Sequence, residues 1–172
     1  SDGSFASFFK CADCGAGTYS TRGATHCDTC SWGSFSPSGS SSCSECAAGT
    51  FSASATSSCS QCGEGTYSGA GASFCYQCGA GTFAAALGTS VCVDCLAGSY
   101  STGGAEQCSP CAVGSFSESG ASACSPCEAG VVSLSEGASA CSPCREGTFS
   151  SSNSSCDPCE PGTYSGGGWG RV

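Results

Sequence analysis

The sequence predicts a small, disulfide-rich fold that is mostly irregular, with short β-strands or hairpins, arranged as an elongated tandem-repeat rod without a large hydrophobic core. Two observations lead to this prediction. Cysteine accounts for 20 of the 172 residues, a density typical of disulfide scaffolds. The cysteines also fall into Cys-x-x-Cys pairs that recur every 15 to 17 residues, and such a fixed period is the signature of a repeat architecture.

The absence of a large core follows from composition. Leu, Ile and Val are scarce, Met is absent and only 10% of residues are charged. Fixing the backbone costs roughly 1–2 kcal/mol per residue, so crosslinks must replace the missing aliphatic burial. Because cytosolic reductants open most disulfides, we expect an oxidising location: extracellular, at the cell surface or in the secretory pathway.

Ten cysteine pairs define the repeat, and we number the units from one to ten by the first cysteine of each pair. These cysteines are Cys11, Cys27, Cys43, Cys59, Cys75, Cys92, Cys108, Cys124, Cys141 and Cys156. The seventh position of every unit is Gly, the eighth is Thr or Ser except at Val131, and the tenth is Ser except at Ala84. The ninth is aromatic in nine units and is Val132 in the eighth. A flexible linker needs no such register, so each unit is predicted to fold.

Each position that recurs from unit to unit predicts a local structure. A Gly at position seven indicates a turn with positive φ or a close approach of backbones. The Thr-aromatic-Ser triplet alternates polar and apolar residues that favour strands, and the Ser/Gly/Ala-rich remainder indicates a loop. We expect the register aromatics to form the small core of each unit. We also expect each unit to contact only its sequence neighbours.

Translational repetition favours one disulfide scheme. If all units are equivalent, the second cysteine of each pair bonds the first cysteine of the next. This head-to-tail scheme predicts Cys14–Cys27, Cys30–Cys43, Cys46–Cys59, Cys62–Cys75, Cys78–Cys92, Cys95–Cys108, Cys111–Cys124, Cys127–Cys141 and Cys144–Cys156. The competing scheme bonds neighbouring pairs as a ladder (Cys11–Cys27 with Cys14–Cys30) and makes units alternate in type. Connectivity does not follow from spacing alone, so both schemes remain open at this point.

The repeat also sets the predicted domain boundaries. Residues 1–10 contain a Gly-Ser-Phe-Ala stretch and form the tail of a preceding repeat. Residues 11–155 form nine tandem repeats of about 16 residues, and residues 156–172 begin an incomplete tenth. The head-to-tail scheme leaves Cys11 and Cys159 without partners, so we expect the array to continue beyond both ends.

The unit resembles a known family. Cys43-Ser-Glu-Cys-Ala-Ala-Gly-Thr-Phe-Ser52 is similar to the ephrin-receptor-like cysteine-rich repeat and to the first loop of tumour-necrosis-factor-receptor cysteine-rich modules. The resemblance implies a small irregular β unit, a non-catalytic role and an extracellular position. In the receptor modules the equivalents of Cys14 and Cys27 pair, which supports the head-to-tail scheme. The uniformity of this array is closer to protist or algal surface and mastigoneme-type proteins.

Several function classes are disfavoured. The net charge is −9 with four basic residues, so no basic patch is available for nucleic acid or anionic lipid. No apolar run reaches the roughly 20 residues of a membrane span. Four-cysteine zinc sites fit the spacing, but five zinc ions on twenty thiolates would take the net charge to about −19. We therefore expect no catalytic site, no cofactor and no bound metal, and we expect this chain not to be an enzyme.

A few positions outside the register suggest interactions. Asn153 heads the sequon Asn-Ser-Ser and is a candidate glycosylation site. Trp32, Phe74 and Tyr76 are large off-register aromatics that a thin rod cannot bury, so we expect them to contact other chains. The predicted partners are copies of itself or sibling chains in a polymer, and attached glycans. The predicted function is a non-catalytic segment of an extracellular fibre, filament, stalk or surface coat, and the alternative is an adhesive or receptor-type ectodomain that binds a protein ligand.

Overall fold

A computed structural model describes residues 11–166 of the chain. The predicted tail of a preceding repeat, residues 1–10, and the last six residues of the incomplete tenth repeat lie outside this range. Eighteen short strands are present in the described part, and they join as nine two-stranded antiparallel hairpins. The fold class predicted from the sequence, a disulfide-rich tandem array of small irregular β units, is confirmed.

Each hairpin consists of two consecutive strands. In chain order they are β1 Thr18–Tyr19, β2 Asp28–Thr29, β3 Ser34–Phe35, β4 Ser44–Glu45, β5 Thr50–Phe51, β6 Ser60–Gln61, β7 Thr66–Tyr67, β8 Tyr76–Gln77, β9 Thr82–Phe83, β10 Val93–Asp94, β11 Ser99–Tyr100, β12 Ser109–Pro110, β13 Ser115–Phe116, β14 Ser125–Pro126, β15 Val131–Val132, β16 Ser142–Pro143, β17 Thr148–Ser152 and β18 Ser155–Pro158. The register pairs position nine of one unit with the residue after the first cysteine of the next, as in Tyr67 with Tyr76.

A tight turn precedes the first strand of each hairpin. In the first unit the Thr18 amide donates to the Gly15 carbonyl oxygen (3.1 Å), and Gly17 has a φ of 80°. A four-residue turn with positive φ at its third residue is a type II turn, which favours Gly there. All ten Gly residues of position seven have positive φ, so the predicted turn is confirmed.

The interior differs from the one predicted. The buried side chains are mainly the second cysteines of units one to nine, which are 0–5% exposed, and most serines of position ten. The register aromatics are half-buried or exposed, so the prediction that they form the core is wrong. The physical reason is the close spacing of the units: sulfur and hydroxyl groups fit at the centre of the stack, and rings are displaced to its surface.

Units stack on more than their immediate neighbours. Backbone hydrogen bonds link each unit to the next; for example, Gly17 N–H donates to Ser36 O (2.7 Å). A Cβ added to Gly33 would overlap the backbone of Gly71, two units further on. The expectation that each unit contacts only its sequence neighbours is therefore wrong, because in units one to seven position seven is packed against the loop of the second unit after its own.

Candidate functional site

The nine disulfides of the structure join the same cysteines as the head-to-tail scheme. They are Cys14–Cys27, Cys30–Cys43, Cys46–Cys59, Cys62–Cys75, Cys78–Cys92, Cys95–Cys108, Cys111–Cys124, Cys127–Cys141 and Cys144–Cys156. Bonded Cα atoms lie 5.6–5.8 Å apart, and each bond closes a loop of 12–14 residues. This Cα distance is the ordinary one for a disulfide.

A backbone ladder accompanies the disulfides. Besides the hairpin bonds and the bond from Cys30 N–H to Gly17 O, each regular junction between units has three backbone hydrogen bonds: at the first, Gly17 N–H donates to Ser36 O (2.7 Å), Ser20 N–H to Ser40 O (3.2 Å) and Gly39 N–H to Cys14 O (2.8 Å). The same three bonds recur at seven consecutive junctions, from units one and two to units seven and eight. We call the disulfides together with this ladder the spine.

The buried serines contribute a further bond to the spine. The Ser36 hydroxyl donates to the Thr18 carbonyl oxygen of the preceding unit (3.0 Å), and the Ser68 hydroxyl donates equivalently to Thr50 (3.0 Å). A buried hydroxyl without a partner would be costly, so the bond explains why Ser is tolerated at the centre of the rod. The sequence placed the regular Ser in the strand triplet but did not predict its burial; its near-invariance directly after the aromatic was the available signal.

The spine is interrupted between units eight and nine. Of the three ladder bonds only one remains there, from Ser133 N–H to Asn153 O (3.1 Å). The Ser133 hydroxyl donates within its own loop, to Ser135 O (3.0 Å). Unit eight has Val131 and Val132 where other units have Thr or Ser and an aromatic, and the ninth unit is the shortest. An open groove of about 510 Å³ adjoins this interruption and contains Leu134 and Arg145 in its lining.

The off-register aromatics lie in two separate places. Phe74 and Tyr76 are 53% and 51% exposed, and their ring centroids are 4.5 Å apart. Tyr67, the strand partner of Tyr76, adds a third ring at 6.0 Å. We call these three residues the aromatic cluster. Trp32 is 66% exposed, lies in the turn of unit two and contacts no other aromatic ring among the described residues.

Asn153 lies at the tip of the hairpin formed by β17 and β18. Its side chain is exposed, and the Ser155 hydroxyl that completes the sequon lies 2.9 Å from the Ser152 hydroxyl. An exposed turn leaves room for an oligosaccharide on the Asn153 amide.

The remaining polar groups form no concentrated site. The single histidine, His26, is exposed, and its Nε2 lies 3.3 Å from the Oδ1 of Asp28. Cys11 and Cys159 carry no disulfide. Among residues 11–166 no group of three or more His, Cys, Asp or Glu side chains is arranged to hold a metal ion. That range also contains no helix long and apolar enough to cross a membrane.

No protein-family model matches this chain, and the search of curated proteins found no significant relative. The structure and the sequence therefore carry the functional argument. Both describe a repeat protein with serial disulfides, which fits an oxidising, extracellular or secreted location.

Proposed function

We propose that this chain is a non-catalytic structural segment of an extracellular fibre, filament, stalk or surface coat. The observation that carries the proposal is the spine, in which covalent bonds and backbone ladder bonds run without a gap from Cys14 to Cys127. A protein built around one reactive or ligand-binding centre has no need for the same unit repeated end to end. A protein that must keep its length and resist extension benefits from every copy.

The disulfides limit how far the chain can be stretched. A loop of 13 residues reaches about 45 Å when extended, whereas the bonded Cys14 and Cys27 Cα atoms are 5.8 Å apart. Tension therefore passes through the Cys-x-x-Cys segments and the S–S bonds, and the loops stay unloaded. The head-to-tail connectivity thus makes the oxidised rod much less extensible than its chain length allows.

Single-molecule pulling tests this mechanism. The oxidised chain, held at its two ends, should extend little before the tethers fail. With a reductant present, each opened disulfide should release about 40 Å of hidden length, in up to nine nearly equal steps. Release of the full chain length without a reductant would contradict the proposal.

A matched variant isolates one bond. Replacing Cys62 and Cys75 together by Ser removes one disulfide and should add a single step of about 40 Å to the oxidised trace. Replacing Ser60 by Ala, an exposed residue of the same unit as Cys62, should add none. An unchanged trace for the double variant would show that the disulfide does not carry the load.

The proposal also includes an attached glycan. Asn153 is proposed as a glycosylation site because it heads a sequon in an exposed turn. Intact mass before and after enzymatic deglycosylation of material from a eukaryotic secretory host tests this, with Asn153→Gln as the control. A mass unchanged by deglycosylation would contradict it.

The receptor or adhesive alternative is favoured by one observation, the irregular junction between units eight and nine. Its open groove, with Leu134 69% exposed, is the most distinctive feature of the described array and could receive a protein ligand. Negative-stain imaging of native material separates the two functions. Long regular fibres support the structural function, whereas dispersed short rods support the alternative.

A further inference from the structure

We propose that two copies of this chain pair side by side in antiparallel orientation through the aromatic cluster of Tyr67, Phe74 and Tyr76. The inference rests on the proposed structural function and names the lateral partner as a second copy. Trp32, which lies far from the cluster in the chain, is not part of this contact.

The fold does not require the cluster. The position of Tyr76, directly after the first cysteine, is the strand partner of position nine in all nine hairpins. Seven hairpins place Ser or Asp there: Asp28, Ser44, Ser60, Ser109, Ser125, Ser142 and Asp157. Only Tyr76 and Val93, in neighbouring hairpins, are large and apolar. Because the unit folds with a polar residue at this position, an exposed ring there points to a contact outside the rod.

The cluster presents a joined apolar surface. Phe74 is in ring contact with Tyr76, and Tyr76 with Tyr67. About half of the Phe74 and Tyr76 side chains remains exposed. The next hairpin repeats the apolar character at the equivalent positions, with Val91 64% and Val93 56% exposed. Aromatic groups of this kind contribute most of the energy of a small interface.

Charge favours a second copy as the occupant. The chain is acidic, with a net charge of −9, so two copies repel each other over most of their length. Residues 65–93 form the longest stretch without a charged residue, and the cluster lies within it. Two copies can therefore meet there without bringing acidic groups together.

Charge also selects the orientation. Residues 11–63 contain three acids and one arginine, whereas residues 95–166 contain seven acids and one arginine. Parallel pairing would place the two strongly acidic halves side by side. Antiparallel pairing places each beside the weakly charged half of its partner, which lowers the repulsion.

The contact of a single pair is weak. Three partly exposed rings on each copy bury less than the roughly 1,000 Å² typical of stable interfaces. In a fibre, many such contacts act together and become effective through multivalency. Isolated chains should therefore associate reversibly, and only at high concentration.

Sedimentation equilibrium of the oxidised chain tests the pairing. The average mass should rise towards that of a dimer between about 10 µM and 1 mM, and more steeply when added salt screens the acidic repulsion. The double variant Phe74→Ser/Tyr76→Ser should remain a monomer, with dimer affinity at least about tenfold lower. The matched control Trp32→Ser, which removes a large exposed aromatic side chain outside this contact, should behave as the wild type. A correct mass for nine disulfides shows that each variant folds.

Energy transfer between labelled thiols tests the orientation. Cys11 and Cys159 carry no disulfide, so Cys159→Ser chains with a donor on Cys11 can be mixed with Cys11→Ser chains with an acceptor on Cys159. Antiparallel pairing predicts more transfer in this mixture than between two populations both labelled on Cys11. More transfer between the two populations labelled on Cys11 would overturn the antiparallel orientation. A wild-type chain that stays monomeric up to 1 mM, or a double variant that still dimerises, overturns the pairing, while the pulling experiment tests the structural function separately.

Discussion

Gly33 packs against the main chain of Gly71, which belongs to the second unit after its own. The same relationship joins Gly49 to Gly88 and Gly65 to Gly104. In units one to six, position seven is therefore constrained twice, by a positive φ that its turn requires and by a neighbouring backbone that leaves no room for a side chain.

Substitution of Gly33 separates these two constraints. Gly33→Ala should destabilise its region by more than about 2 kcal/mol, because it adds steric overlap to the cost of positive φ. Gly23→Ala is the matched control: Gly23 has a similar φ, 81°, but nothing lies within 4 Å of an added Cβ, so the cost should be about 1 kcal/mol. Guanidinium unfolding followed by the fluorescence of the adjacent Trp32 measures both. Equal costs would mean that the contact between alternate units contributes nothing.

Ala55 occupies a position where a glycine is expected. It is the one non-glycine residue with positive φ in the part of the chain that the structure describes (φ 61°), and the equivalent positions in neighbouring units are Gly39 and Gly71. Ala55→Gly removes a left-handed strain of about 1–2 kcal/mol but increases the entropy of the unfolded chain. We expect a net stabilisation of about 0.5–1 kcal/mol in guanidinium unfolding. Any loss of stability would contradict the strain argument.

The serine hydroxyl of position ten can be tested in both directions. Ser68→Ala removes the hydrogen bond to Thr50 and should cost about 1 kcal/mol. Unit five naturally has Ala84 at this position, buried at 2% exposure, so Ala84→Ser should create the missing bond and gain a similar amount. Guanidinium unfolding of each variant beside the wild type measures the two changes in the free energy of unfolding. Changes of the same sign would show that the bond is not what selects Ser.

The interruption between units eight and nine should be the least protected part of the array. Among the residues that the structure describes, the amide of Gly130 has no backbone acceptor, whereas the equivalent amide of Gly114 donates to Ser133 O (3.0 Å). Likewise, the amide of Cys144 has no backbone acceptor in the described range, whereas that of Cys127 donates to Gly114 O (2.9 Å). Hydrogen exchange of the oxidised chain should be at least about tenfold faster at Gly130 and Cys144. Similar rates at all four amides would indicate that the ladder is continuous in solution.

Much of the single unit could be predicted from the sequence. The turn at Gly17, the strand at Thr18 and Tyr19 and the loop that follows are local structures, and local residue preferences decide them. Repetition also favoured the bonding of Cys14 to Cys27, because equivalence between units leaves few schemes.

The arrangement between units was much less predictable. The burial of Ser36 instead of Phe35 depends on how closely the units approach, and a single unit does not encode that distance. The contact of Gly33 with Gly71 depends in the same way on the rotation between units. Val131 and Val132 were visible as departures from the pattern, but their consequence, a gap in the ladder, depends on hydrogen bonds formed with the next unit.

The composition of the interior has a thermal consequence. Unfolding exposes mainly sulfur, hydroxyl groups and backbone instead of aliphatic side chains, and the heat-capacity increase of unfolding comes from newly hydrated apolar surface, offset by newly hydrated polar surface. The heat-capacity increment per residue should therefore fall well below the usual 12–15 cal/mol/K. A small increment flattens the curve of free energy against temperature, so the oxidised rod should keep nearly the same stability from cold water to warm.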